Sequence, residues 1–239
     1  MSHYQTTYTV TGTDIDCFGR CRLSSLLAFS ASAAGLHSNL LGVGEDALKG
    51  DALFWAIVRN RVQITRLPME GEEVTIETWP MPVTRAAFPR STVAYDSGGQ
   101  ELFRSVALWV LMHRQTRALV LPGSSHIRVE GSLTGSELSV PRNLPPAVLP
   151  EECVRKVRFS QLDRNGHMNN ARYLDWVTDL LPAEFHREHP VKDLTVCYLN
   201  EAREGQSVRL NWQLTPEGIL QVDGHTEENT RVFSVHLEL

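Results

Sequence analysis

The 239-residue sequence predicts an α+β protein built from two tandem copies of one unit, a long helix wrapped by an antiparallel β-sheet. Three observations carry that expectation. Blocks of sequence recur in one order, each copy passes from a helical into a period-2 apolar pattern, and the composition is that of an ordinary globular chain. Thr13-Asp14-Ile15-Asp16-Cys17-Phe18-Gly19-Arg20 aligns with Ser160-Gln161-Leu162-Asp163-Arg164-Asn165-Gly166-His167, 147 positions on, keeping an aliphatic-Asp-x-x-Gly core. Arg61 to Ile64 followed by Glu70 to Ile76 aligns with Thr195 to Tyr198 followed by Glu204 to Leu210, 134 positions on, and reads as a hairpin turning at Glu-Gly. Arg104 to Leu108 aligns with Phe233 to Leu237, 129 positions on, so the falling offset means shorter loops in the second copy.

Each copy opens with a short strand. In the first, a helix is expected from about Leu23 to Leu41, because Leu23, Leu26, Leu27, Ser30, Ala34 and Leu41 fall on one face. Leu26, Leu27, Phe29, Leu36 and Leu40, backed by Phe54 and Trp55, read as core. The small residues from Ser30 to Gly35 leave room at the helix–sheet interface. Strands follow with alternation such as Val74-Thr75-Ile76-Glu77. Gly123 to Pro150, with Pro141, Pro145, Pro146 and Pro150, reads as a surface linker. The second helix is expected from about Asn170 to Leu181 through Tyr173, Leu174, Trp176, Val177 and Leu180, followed by strands such as Val208-Arg209-Leu210-Asn211. The division is therefore 1–122, linker 123–150 and 151–239. One helix per antiparallel sheet leaves the sheet a single apolar face to bury on it.

A net charge of −5 argues against a nucleic-acid partner, which calls for a basic excess or stripe. The most apolar stretch, Leu26 to Ala34, is interrupted by Ser and ends at Gly35, short of the roughly 18 residues a membrane span requires. Four cysteines without CxxC spacing, and an N-terminus without the charged-then-apolar layout of a signal peptide, point to a reducing, cytoplasmic setting. His186 and His189, just before Pro190, read as a solvated helix end rather than a metal pair, and Cys17 and Cys21 as half-buried fillers.

The stretch Leu162-Asp163-Arg164-Asn165-Gly166-His167-Met168-Asn169-Asn170-Ala171-Arg172-Tyr173-Leu174-Asp175-Trp176 resembles the signature of acyl-acyl-carrier-protein thioesterases, in which Asp-x-Asn-x-His-x-Asn-Asn precedes the second helix. Leu194 to Ala202 is similar to the family's strand carrying a Glu, here Glu201, and the similarity extends from about Tyr8 onward. The resemblance implies a tandem double hotdog that hydrolyses fatty acyl-acyl carrier protein to free fatty acid and carrier in fatty acid biosynthesis, with no cofactor. It also implies a carrier protein bearing a fatty acyl phosphopantetheine as partner. Plant members have a Cys directly after the Glu; Ala202 stands there in this chain, which argues against a thiol nucleophile.

Thioester hydrolysis needs a group to activate water or attack the carbonyl, a holder for the carbonyl, and donors toward the oxyanion. Alternate positions of an extended segment point the same way, so Asp163, Asn165 and His167 are expected on one side. The helix start at Met168 to Asn170 is expected to offer free N–H groups. The plainer reading makes Asn169 or Asn170 an N-cap and His167 a loop residue.

The duplication bears on this independently. Asn165 corresponds to Phe18, His167 to Arg20 and Glu201 to Leu67, whereas Asp16/Asp163 and Gly19/Gly166 are shared. Shared residues suit turn geometry, and polar groups found in one copy only are not required by the fold. One active site is thus expected, in the second half, with Asn165, His167 and Glu201 catalytic and Asp163 orienting. Glu201 could serve as general base or as a nucleophile giving an anhydride. Gly166, Met168, Asn169 and Asn170 are expected to contact the substrate head, and Leu26, Leu27, Ser30 and Trp55 its chain. Arg155, Lys156, Arg158, Arg164 and Arg172 form a basic cluster that could grip a phosphopantetheine phosphate or an acidic helix; scattered solvated charges are the alternative. Acyl-CoA hydrolysis, 3-hydroxyacyl-thioester dehydration, non-catalytic acyl-thioester binding and a homodimeric state all stay open at this level.

Overall fold

The computed structural model of the protein describes residues 3–135 and 137–239. They form two compact units, Met1–Pro141 and Arg142–Leu239. The first contains β1 (Tyr4–Thr9), α1 (Leu23–Leu40), α2 (Glu45–Lys49), β2 (Leu53–Ile64), β3 (Glu73–Pro80), β4 (Phe88–Tyr95), β5 (Glu101–His113) and the two-residue β6 (Leu119–Val120). The second contains β7 (Glu151–Lys156), α3 (Arg172–Thr178), α4 (Ala183–Glu188), β8 (Asp193–Tyr198), β9 (Ser207–Leu214), β10 (Ile219–Thr226) and β11 (Arg231–Glu238). Within the first unit the strands run β1-β3-β4-β5-β2, with β6 paired to β5; within the second they run β7-β9-β10-β11-β8, and every pairing is antiparallel. The expected tandem α+β architecture is present, β7, β9, β10, β11 and β8 repeating the order of β1, β3, β4, β5 and β2, with β6 added in the first unit.

The aligned second block is not a hairpin. β2 pairs with β5, and β3 with β1 and β4; likewise β8 pairs with β11, and β9 with β7 and β10. The Glu-Gly turn exists, with Gly71 at φ 83° and Gly205 at φ 81°. Its backbone groups, however, are spent on the segment ahead of the helix: Gly71 N–H donates to Val10 at 2.9 Å and Glu70 N–H to Gly19 at 2.9 Å. The two strands therefore leave the turn toward different partners.

α1 buries Leu23, Leu26, Leu27, Ser30, Ala33, Ala34 and His37, an i, i+3, i+4 stripe that lies against β3 and β1. Leu36 and Leu40, expected in the core, are instead 43% and 66% exposed, because at about 100° per residue they fall off that stripe. Ala31, Ser32 and Gly35 also face outward, leaving Ser30, Ala33 and Ala34 as the small residues against the sheet.

The second helix ends early. α3 has seven residues, and a separate α4 follows. Thr178 Oγ1 donates to the Leu174 and Asp175 carbonyls at 3.0 and 3.1 Å, and Pro182, which has no N–H to continue the ladder, starts α4. α3 still buries Tyr173, Leu174, Trp176 and Val177. The Tyr173 ring meets Phe233 of β11 at 4.7 Å and Tyr198 of β8 at 5.9 Å. Gly224 on β10 admits the Phe233 ring, since a Cβ there would lie 2.2 Å from it.

The segment expected as a linker is shared between the units. Ile127 and Leu138 are buried, Leu138 beside Met81 and Val106, and Arg59 donates to Pro141 at 2.9 Å. Beyond residue 142 the chain is tied to the second unit. Arg231 donates to the Leu144 and Pro145 carbonyls at 3.1 Å while its guanidinium pairs at 2.7 Å with the buried Asp223. All four cysteines are free; Cys17 is exposed and Cys21 fully buried, so neither is the half-buried filler expected.

Candidate active site

The loop from Asp163 to Met168 is built by its own aspartate. Asp163 Oδ1 accepts the N–H of Asn165 at 2.8 Å and of His167 at 3.2 Å, and its carbonyl accepts the Gly166 N–H at 3.0 Å. Asp163 N–H donates to the His167 carbonyl at 2.8 Å, and Gly166 takes φ 77°, which an L side chain resists. The segment is thus a tight turn rather than the extended run expected. The side chains consequently diverge. Asn165 stays exposed with Nδ2 3.4 Å from Asp163 Oδ2, while His167 turns inward.

His167 Nε2 lies 3.1 Å from Glu201 Oε2, with the side chains 10% and 38% exposed. Glu201 sits three residues past the end of β8, in a loop rather than on the strand as expected. Backbone contacts bring the two loops together: Met168 N–H donates to Ala202 at 2.8 Å, and His167 bridges Arg203. A buried imidazole 3.1 Å from a carboxylate that solvent can reach is an acid–base pair able to take a proton from water.

The N–H groups expected to be free at the helix start are largely occupied. That of Met168 goes to Ala202, and that of Asn169 to Gln161 at 2.8 Å. The Asn169 side chain accepts the Ala171 N–H at 2.9 Å, an Asx turn ahead of α3, but the N-cap position is Ala171, so neither Asn169 nor Asn170 caps the helix as the plainer reading expects. Asn170 is half-buried, and its carbonyl accepts the Tyr198 hydroxyl at 2.9 Å. Tyr173 and Tyr198 form an aromatic floor that sequence reasoning missed as polar groups. Burial pushes both phenols above their ordinary range, and for Tyr173 the Glu201 and Asp163 carboxylates push the same way. The copy comparison that singled out His167 would have found them, since Leu26 and Ile64 hold the corresponding places.

Among the residues expected to meet an acyl chain, Leu26, Leu27 and Ser30 are buried on the inner face of α1. Trp55 on β2 packs elsewhere, edge-on to Phe88 at 4.9 Å in a cluster with Val43, Leu48 and Leu111, its indole N–H on the Val43 carbonyl at 2.8 Å. The first unit also buries Arg90, 3.1 Å from His37 Nδ1, and burial pulls its guanidinium down to about 10. Of the basic cluster, Lys156, Arg158 and Arg164 are exposed, Arg155 is half-buried, and Arg172 pairs with Asp175 at 3.0 Å. Phe159, between Arg158 and the loop, is 79% exposed.

Comparison with known proteins locates this architecture. The model of the acyl-ACP thioesterase N-terminal domain matches residues 1–121, and that of the acyl-ACP thioesterase C-terminal domain residues 150–236. A chloroplastic acyl-[acyl-carrier-protein] hydrolase of Cuphea viscosissima is 28% identical over 179 residues, 70% of this chain and 43% of that one. The chloroplastic oleoyl-acyl carrier protein thioesterase 1 of Arabidopsis thaliana is 27% identical over 176 residues, 65% of this chain and 47% of that one. The chain thus spans about half the length of the curated relatives it matches. In structure, an acyl-ACP thioesterase from Bacteroides thetaiotaomicron superposes with TM-score 0.83 at 20% identity, over 99% of this chain and 97% of that one. A 12:0-ACP thioesterase from Umbellularia californica gives TM-score 0.82 at 19% identity, over 100% and 97%. At these identities the two superpositions establish the double hotdog fold.

Proposed function

The chain belongs to the acyl-ACP thioesterase family, and on that premise we propose that it hydrolyses the thioester of a fatty acyl-acyl carrier protein, releasing fatty acid and carrier thiol in fatty acid biosynthesis. The observation that carries the reading is the 3.1 Å contact between His167 and Glu201, two groups present in the second copy only. Glu201 is the general base. One of its oxygens meets His167, and its exposure leaves room for water, which loses a proton to the site as its oxygen attacks the thioester carbonyl. Asn165, exposed at the loop tip, holds the carbonyl, and Asp163 keeps the loop in shape. Detection of a Glu201 hydroxamate after turnover with hydroxylamine would indicate an anhydride and overturn the base role.

The acyl chain is assigned to the helix–sheet interior of the first unit, against Leu26, Leu27 and Ser30. The acidic carrier is assigned to Lys156, Arg158, Arg164 and the exposed Phe159, with Arg155 and Arg172 contributing charge at the edge. Charge reversal at Arg158 and Arg172 is expected to raise KM for carrier-bound substrate, more at low salt than at high, while a small neutral thioester is hydrolysed as before. No helix among the described residues is long and apolar enough to cross a membrane. Four free thiols favour a reducing compartment such as the cytoplasm.

The deciding experiment assays free thiol, free acid and enoyl product on acyl carrier protein and on acyl-CoA in parallel. Thiol and acid with a lower KM for the carrier protein are expected. Enoyl product would mean a dehydratase, and preference for CoA would overturn the carrier assignment.

A further inference from the structure

We propose that the first unit carries a hydroxyl-recognition subsite on the inner face of its sheet, formed by Asn60, Ser105 and Trp109 around Ala107, and that the acyl chains it takes bear a hydroxyl group. The inference rests on the hydrolytic reading above and names the substrate class within it.

Ala107 lies in the middle of β5, opposite Asn60 of β2 on one side and Arg90 of β4 on the other. Arg90 reaches His37 of α1, so this is the face that α1 packs on. Alternation along β5 puts Ser105 and Trp109 on the same face, each about 7 Å from Ala107 along the strand. Three buried polar atoms there have no hydrogen-bond partner among the described residues: Asn60 Oδ1, Ser105 Oγ and Trp109 Nε1. Asn60 and Ser105 are 2% and 1% exposed, so bulk solvent does not satisfy them, whereas Ala107 between them keeps part of its surface open.

On the β4 side of this face the polar groups are paired. Arg90 lies 3.1 Å from His37 Nδ1 and donates to Thr78 Oγ1 and Ser38 Oγ at 3.4 Å. Thr92, directly opposite Ser105, donates to Thr78 at 3.1 Å, and Thr78 to the Ser91 carbonyl at 2.8 Å. The unpaired groups are confined to β5 and β2.

The second copy supplies the control. Ile64 opposite Phe103 corresponds to Tyr198 opposite Phe233, so strand register puts Leu194, Val235 and Leu237 in the places of Asn60, Ser105 and Ala107, one residue on from the sequence alignment of β5 with β11. All three are buried and apolar. The fold therefore closes this place with aliphatic side chains, a leucine standing where Ala107 leaves space. Polar groups occupy it only in the unit to which the acyl chain is assigned.

An alcohol complements the three atoms. Its O–H donates to Asn60 Oδ1, and its two lone pairs accept the Ser105 O–H and the Trp109 indole N–H. A keto or carboxylate oxygen only accepts and leaves Asn60 Oδ1 unpaired, and a plain methylene chain leaves all three unpaired.

The test measures kcat/KM on carrier-bound acyl chains of one length, unsubstituted or with a hydroxyl near the thioester, at mid-chain or at the far end, for wild type and Asn60→Leu/Ser105→Ala, with Tm recorded for both proteins. Wild type is expected to favour one hydroxylated isomer about 10-fold or more over the unsubstituted chain, which leaves buried polar groups unpaired. In the double variant the ratio is expected to fall to about one or below, with Tm no lower than wild type, because the groups removed have no partner in the protein. A wild-type preference under about twofold for every isomer, a preference that survives the double substitution, or a Tm several degrees lower overturns the inference and leaves thioester hydrolysis standing. Should the double variant not fold, Ser105→Ala alone is expected to lower the preference about threefold or more, and an unchanged preference there overturns the inference. If no chain is hydrolysed, the hydrolytic reading falls separately, and the subsite is read from the Tm of wild type with the free acids: a larger shift with one hydroxy acid than with the unsubstituted acid is expected, and equal shifts overturn it.

Discussion

In each half of the chain an aspartate folds the turn that follows it. Asp16 accepts the N–H groups of Phe18 and Arg20 at 2.8 and 3.0 Å, and Asp163 those of Asn165 and His167 at 2.8 and 3.2 Å. Gly19 and Gly166 sit at φ 75° and 77°, and the bridges Ile15 to Cys21 and Leu162 to Met168 close the two loops alike. The difference lies in the side chains the loop presents. Arg20 folds back on its own loop, Nε 3.0 Å from Asp16 Oδ2 and the guanidinium 4.8 Å over the Phe18 ring. His167 instead reaches out of its loop to Glu201. One backbone solution thus serves in the first copy as a closed structural plug and in the second presents an imidazole to a carboxylate, the pair to which we assign the chemistry.

The largest expected effect comes from converting the second loop into the first. His167→Arg combined with Glu201→Leu should lower turnover by about 10³-fold or more with circular dichroism unchanged, given that each group of an acid–base pair is typically worth about 10²–10⁴. His167→Ala or Glu201→Ala alone should cost about 10²-fold or more, whereas Arg20→Ala should leave the rate of thiol release within about twofold of wild type. An equal loss in Arg20→Ala would erase the distinction between the loops.

Removing the shared aspartates should separate stability from activity. Asp16→Ala and Asp163→Ala each deprive two backbone N–H groups of an acceptor, a loss of about 1–3 kcal/mol. At about 2–4 °C per kcal/mol for a chain of this size, both should melt several degrees lower. Only Asp163→Ala should also slow hydrolysis, by about tenfold or more, since it alone shapes a loop bearing a reacting group.

A smaller and symmetrical effect is expected at the glycines. No atom lies within 4 Å of a Cβ placed on Gly166, and the nearest to one on Gly19 is Met69 Cε at 3.8 Å, so alanine at either place meets backbone strain and no clash. Each substitution should cost about 1–2 kcal/mol in chemical denaturation.

The smallest effect concerns Cys21, the counterpart of Met168. Burial, then Asp14 and Asp16, push its thiol from 9.0 up to about 12. Below pH 9 folded and unfolded chains both keep the proton, and the full preference for the native state is present. Between pH 9 and 12 the unfolded thiol ionises first, so stability is lost as pH rises. Denaturation midpoints at pH 8 and 10.5 should therefore converge somewhat in Cys21→Met. A thiol reagent at pH 8 should label the exposed Cys17 and spare Cys21. Replacing all four cysteines by serine should keep most of the activity, which a thiol nucleophile would not allow.

Much of this was legible because it is local. The Asp-x-x-Gly turn is made within six residues, and the inner face of α1 within five turns of helix, so spacing alone exposes both. The copies could be aligned because their strand orders are the same. The contrast of Asn165 and His167 with Phe18 and Arg20 then marked the second loop without any structural knowledge.

Other features depended on partners far along the chain. Period-2 patterning says that residues 61–64 and 74–76 are strands but not which strand each will pair with; β2 goes to β5 because the intervening turn spends its backbone groups on Val10 and Gly19. The second helix looked continuous by its apolar periodicity, yet Thr178 and Pro182 end it. The alternation that put Asp163, Asn165 and His167 on one face assumed an extended backbone, which the Asp163 side chain itself prevents.

By itself the sequence determined the duplication, the two Asp-Gly turns, and the imidazole and carboxylate that only one copy possesses, because these follow from residue type and near-neighbour spacing. Tertiary structure alone decided that His167 and Glu201 meet at 3.1 Å, through the bond from Met168 to Ala202 and the bridge from His167 to Arg203. Those contacts join segments about 30 residues apart through backbone N–H and C=O groups, which every residue but proline carries in the same form; only the packing of helix and strands selects which of them pair.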